Sequence, residues 1–94
     1  MSITADSTGN PIVVTGTCSS SEVIATGQIY IKWVYWYQPS TAAHLLTLVD
    51  AQGKSIVPAY CEKANQSQWL PIYKTCDDIY CTKIESGSLY IYIK

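Results

Sequence analysis

The sequence predicts an all-β domain, an antiparallel β-sandwich of jelly-roll-like or immunoglobulin-like type with about seven or eight short strands. Three observations predict it. Helical periodicity is nearly absent: the best stretch, Ser40 to Val49, ends in Leu45-Leu46-Thr47-Leu48-Val49, which suits a buried strand equally well. Most of the remainder is β-branched residues and tyrosine in short runs. Turn residues separate those runs at intervals of roughly 8–12 residues, the spacing of sandwiches and barrels.

Taken in order, residues 1–10 read as an N-terminal arm. Pro11 to Thr17 is a strand and Ser19-Ser20-Ser21 a loop. Glu22 to Thr26 is a short strand, and Gly27 marks a bulge or turn. Gln28 to Tyr37 is the strongest strand; Pro39 ends it because proline has no N–H to give a ladder. Ala43 to Val49 follows, then Asp50-Ala51-Gln52-Gly53 as a hairpin loop with glycine where φ is positive. Lys54 to Cys61 returns, and Pro58 marks it as an edge or bulged strand. Gln68 to Tyr73 and Ile79 to Ile84 are weaker strands, Glu85-Ser86-Gly87 is a turn, and Ser88 to Ile93 closes the chain.

With 94 residues the chain makes one domain, and folding alone buries about two-thirds of its surface. No apolar run approaches the ~18–20 residues of a spanning helix, so no membrane is expected as a partner. The start, Met-Ser-Ile-Thr-Ala-Asp, has neither a basic nor an apolar signal region, which points to synthesis in a cytosol. Charged residues are only 14% of the chain, against roughly 25% in ordinary domains. The net charge is −1 and there is no basic cluster, so nucleic acid is not an expected partner. There are eight Tyr and three Trp but no Phe: every aromatic carries a polar edge, the chemistry favoured at interfaces.

Alternation along strands assigns faces. In the 28–37 strand the odd set, including Trp33 and Tyr35, is expected to face the core, and the even set, including Tyr30 and Trp36, to face out. In the last strand Leu89 and Ile91 face in, while Tyr90 and Tyr92 face out. Tyr30, Trp36, Tyr90 and Tyr92 are therefore the candidate contact residues.

Catalytic signals are weak. The single histidine, His44, has no nucleophile motif around it. Asp6-Ser7-Thr8-Gly9 carries one residue too many for the Asp-Ser/Thr-Gly signature of aspartic proteases and reads as a turn. Asp77-Asp78 is the only adjacent acidic pair, too few oxygens for calcium, and reads as a solvated turn. No catalytic residue, cofactor or metal ligand is expected. Cys18, Cys61, Cys76 and Cys81 lack paired zinc spacing. They are left as either buried thiols or disulfides, with three possible pairings. Asn65-Gln66-Ser67 matches a glycosylation sequon by pattern alone.

The block VYWYQPSTAAHLLTLVDAQGKSIVPAYCEKANQSQW from Val34 to Trp69, followed by the ending IESGSLYIYIK, carries a resemblance. An aromatic strand, a Leu-rich strand, an Asp-x-x-Gly-Lys hairpin and a Cys-Glu-x-Ala-Asn segment occur in order. This resembles small all-β virion structural proteins of tailed bacteriophages and prophages. The resemblance implies a non-enzymatic β-sandwich in the virion, made in the host cytoplasm, most plainly a capsid decoration or cement protein. Its partners would be the major capsid protein or neck and tail components, together with copies of itself in a homo-oligomer. The alternative is a carbohydrate-binding module, in which exposed Tyr and Trp stack on sugar and Asn65, Gln66 and Gln68 supply hydrogen bonds.

Overall fold

A computed structural model describes residues 3–6 and 8–94. The fold is all-β and antiparallel, as the sequence predicts, with no helix among the described residues. Seven strands form it: β1 (Ile3–Asp6), β2 (Ile12–Gly16), β3 (Glu22–Tyr37), β4 (Leu45–Val49), β5 (Ser55–Tyr60), β6 (Gln68–Ile84) and β7 (Ser88–Ile93). They make one continuous sheet in the order β1-β2-β7-β3-β6-β4-β5. Part of the segment expected as an arm, residues 3–6, pairs with β2 as an edge strand.

The two long strands make this single sheet sandwich-like. The C-terminal half of β3 pairs with β7 and with the N-terminal half of β6. The N-terminal half of β3 pairs with the C-terminal half of β6, which continues to β4 and then β5. β3 and β6 thus serve two layers, which explains why four predicted strands appear as two. Between the layers lies one core: Ile12, Val14, Ile31, Val34, Trp36, Leu89 and Ile91 from the first layer meet Ile24, Leu46, Leu48, Val57, Ile79 and Ile84 from the second.

The strands change layer at irregular positions. Gly27, at φ +95°, donates its N–H to Asp78 Oδ1 at 2.6 Å, and Asp78 itself has φ +63°. Gly27 is therefore the bulge the sequence predicts, whereas Asp77-Asp78 lies inside β6 rather than in a solvated turn. Asparagine and aspartate tolerate the left-handed region better than most residues, so Asp78 supplies both the bend and its hydrogen bond.

The hairpin expected at Asp50–Gly53 is present. Asp50 Oδ1 accepts the N–H groups of Gln52 and Lys54, each at 2.9 Å, and Gly53 has φ +80°. Pro58 lies on β5, an edge of the sheet, where its missing N–H costs no ladder bond. Pro71 lies in the half of β6 whose only strand partner is β3, so it too sits on an edge.

The predicted faces of β3 hold only as far as Ile31. From Ile31 to Trp33, β3 advances two residues while β7 advances one, from Ile93 to Tyr92. Lys32 is the extra residue of a β-bulge, and a one-residue slip reverses every following side chain. Ile29 and Ile31 point inward before the bulge; Val34 and Trp36 do so after it. Trp36, expected outside, is fully buried, and its indole N–H donates to Ser86 O at 2.8 Å. Trp33 and Tyr35, expected in the core, are half-buried on the outer side. Leu89 and Ile91 are core residues, as predicted.

Candidate aromatic docking face

The bulge that buries Trp36 turns its odd-numbered neighbours outward, beside the tyrosines of β7. Tyr35 lies opposite Tyr90 and Trp33 opposite Tyr92 across the β3–β7 ladder. On the other side of β3, Tyr35 lies opposite Trp69 of β6. The result is a run of seven rings on one outer face: Trp33, Tyr35, Tyr37, Trp69, Tyr73, Tyr90 and Tyr92.

Trp33 is the hub, with ring centroids at 6.1 Å from Trp69, 6.3 Å from Tyr73 and 5.4 Å from Tyr92. Tyr35, Tyr37 and Tyr90 form a second triangle at 6.2–6.4 Å. Tilted and edge-on pairs at these distances each contribute about 0.5–1.5 kcal/mol beyond area burial. The rings therefore hold one another in place and form a pre-ordered surface. Trp69 and Tyr73 remain 54% and 53% exposed, so large apolar area faces water at this corner.

Two lysines border the face. Lys32 Nζ lies 5.8 Å from the Trp33 ring centroid, and Lys94 Nζ lies 5.9 Å from that of Tyr30. Of the predicted contact residues, Tyr90 and Tyr92 are in the ring cluster, Tyr30 stands beside Lys94, and Trp36 is beneath it in the core. The alternation argument placed Trp33, Tyr35 and Tyr37 inside and so missed them, and it did not consider Trp69 and Tyr73. For Trp69, the alternation of exposed positions 69 and 71 was the available signal; Tyr73, at φ +52° in an irregular stretch of β6, offered none.

Other candidates have structural work. His44 Nδ1 is 2.8 Å from Ser86 Oγ, which also accepts the Ser40 N–H at 2.9 Å. Ser86 is buried, and no cleft is found among the described residues, so the pair braces the turn over Trp36. A Cβ at Gly87 would meet Tyr37 O at 2.8 Å and Trp36 Nε1 at 2.9 Å, so only glycine fits this turn. Leu45 N–H donates to Glu85 Oε1 at 2.8 Å. Ser7 of the Asp6-Ser7-Thr8-Gly9 segment lies outside the described residues; Asp6 Oδ1 accepts the Thr8 hydroxyl at 2.6 Å and its N–H at 3.1 Å. Those two bonds hold the Asp6 carboxyl below its ordinary range. Asn65 is exposed, and Gln68 Nε2 donates to Tyr60 O at 2.7 Å.

The four cysteines are buried and free. Cys61 donates its thiol to Lys63 O at 2.8 Å. Burial pushes the Cys76 thiol up. Burial, with the Cys18 thiol and the Glu22 carboxylate beside it, pushes Cys81 up much further. No group of three or more His, Cys, Asp or Glu side chains suited to a metal occurs among the described residues.

Comparison with protein-family models, curated proteins and solved structures finds no match to this chain. The molecule's own surface offers an aromatic face bordered by Lys32, and no cleft is found among the described residues.

Proposed function

We propose that this chain is a structural subunit of a bacteriophage virion, a capsid decoration or cement protein that docks through its aromatic face onto neighbouring virion proteins. The observation that carries the reading is the seven-ring face, whose most exposed members are Trp69 and Tyr73. Trp and Tyr are the residues that dominate binding energy when a partner covers them. Rings already packed against one another lose little freedom on docking, so more of the buried area counts toward affinity. The low charge content and the phage-like sequence block support the same reading. A subunit that binds only the assembled shell stabilises it by mass action, and a symmetric oligomer would repeat the contact.

The test uses shells of the encoding phage purified without this protein. The wild-type chain should bind them, and a Trp69→Ser/Tyr73→Ser variant should bind about tenfold or more weakly. Absence of wild-type binding, or equal binding by the variant, overturns the proposal.

The second reading, carbohydrate binding, is favoured by one observation: Trp69 and Tyr73 flank Trp33 with about half of each side chain open, a corner on which a sugar ring can stack. A glycan array probed with both proteins separates the readings. Sugar retention that disappears in the double variant, with no affinity for shells, would select it.

A further inference from the structure

The segments that build the aromatic face carry no acidic residue: neither β7, nor positions 28–37 of β3, nor positions 68–75 of β6 contains Asp or Glu. The charged residues there and just after β7 are Lys32, Lys74 and Lys94. Lys74 Nζ reaches Ser55 O on β5 at 3.4 Å, toward the other layer. Lys32 and Lys94 stay with the rings. Lys32 is the bulge residue, and its Nζ lies over Trp33, the hub of the larger ring group. Lys94 continues β7 past Tyr92; its N–H donates to Tyr30 O at 3.0 Å and its Nζ lies over the Tyr30 ring. Both ammoniums therefore stand at the Trp33–Tyr92 end of the face. Asp6 lies two strands out from Tyr90, across β2, and Thr8 already donates twice to its Oδ1.

The chemistry of that end is one-sided. An ammonium and an indole N–H donate hydrogen bonds and accept none. A carboxylate accepts without donating, and it matches the charge. Lys32 is half-buried beside its ring, so a carboxylate brought against it in a closed interface meets a stronger field than in open water. Two cations match a pair of side-chain carboxylates on a folded surface. A polyanion such as single-stranded nucleic acid calls for a longer basic track, and the net charge of −1 opposes it.

Resting on the docking reading above, we propose that the surface this face meets is acidic: the neighbouring virion protein presents Asp or Glu side chains to Lys32 and Lys94, while its apolar part covers Trp33, Trp69 and Tyr73.

The experiment measures binding of the chain to shells purified without it, from about 50 to about 500 mM KCl. Wild-type affinity should fall at least about fivefold across that range, a readout that needs no variant. Lys32→Gln/Lys94→Gln should bind about fivefold more weakly at the low-salt end and respond less to salt. Lys32→Glu/Lys94→Glu should be weaker again. Lys54→Glu/Lys83→Glu, at the β4–β5 hairpin and opposite Thr47, makes the same change in net charge on the other layer and should bind like wild type. Melting curves by circular dichroism check that each variant is folded. Shell binding that Trp69→Ser/Tyr73→Ser abolishes, but that neither salt nor the Lys32 and Lys94 variants weaken, overturns this inference and leaves the docking reading standing. Equal loss in both charge-reversed pairs overturns it too, because net charge alone would then suffice. No wild-type binding at any salt overturns both readings. Capture of a fluorescent oligothymidylate in place of shells selects nucleic acid and overturns the acidic protein surface.

Discussion

The two outer faces of the sandwich share one core and differ in what they show to water. On the face of β7, the second half of β3 and the first half of β6, seven rings pack in two groups, with Lys32 and Lys94 at one end. On the other face, Val23 lies opposite Tyr80, Tyr80 opposite Val49, and Thr47 opposite both Pro58 and Lys83, while Leu45 meets Tyr60. That second face is a mixed surface of aliphatic, hydroxyl and charged groups, ordinary for a soluble sheet. The first is aromatic, its rings packed in a group of four and a group of three. Sheet stability alone does not require that difference, because cross-strand pairs of either kind support a ladder. Under the proposal above, this aromatic surface is the one a partner covers.

The contrast depends on the Lys32 bulge, and the largest effect should come from moving it. Deleting Tyr35 slips Trp36 onto the outer side and should abolish cooperative unfolding in urea. Deleting Lys32 removes the extra residue yet leaves Trp33 out and Val34 and Trp36 in. That variant should still unfold cooperatively, with a loss of roughly 1–3 kcal/mol. Equal damage from both deletions would refute the role given to the bulge.

Next is the ring beneath the face. Trp36→Ala empties a fully buried site and strands the Ser86 carbonyl, and should cost about 3–5 kcal/mol by denaturant unfolding. Trp69→Ala, on the outer side of the same layer, should cost about 1 kcal/mol. A third comparison separates the faces by binding. Trp69→Ser/Tyr73→Ser should lower shell affinity about tenfold or more. Val23→Ser/Tyr60→Ser, equally exposed on the opposite side, should leave the affinity unchanged.

The smallest effect is in pH. The Cys81 and Cys76 thiols are raised above their ordinary value, so the folded state holds their protons more tightly than the unfolded chain does. Their contribution is complete below the unfolded value and is lost as pH rises past it. Melting temperature should therefore fall from about pH 8.5 upward, less steeply for Cys76→Ala/Cys81→Ala.

Much of the fold was legible in the sequence because turns and edges are written locally. Asp50–Gly53, Gly27, Pro58 and the final Ser-Gly turn each have a chemistry that only certain backbone shapes accept. The aromatic face was legible in kind, through tyrosines with polar edges and the outward Tyr90 and Tyr92. Its membership was not. Lys32 carries no mark distinguishing a bulge from a regular outward residue, since the slip is set by what β7 and β6 do opposite it. The hint was Val34, an aliphatic residue left outside by strict alternation. The fusion of predicted strands into β3 and β6 was also hidden, because a bend through Gly27 and Asp78 looks locally like an end.

Pro58 and Pro71 have a consequence for crowding. Each stands on a strand with an open side and removes a donor that a foreign strand would need to start a shared ladder. At high protein concentration these two rims therefore resist zipping into fibrils. Contacts along them fall to side chains rather than backbone.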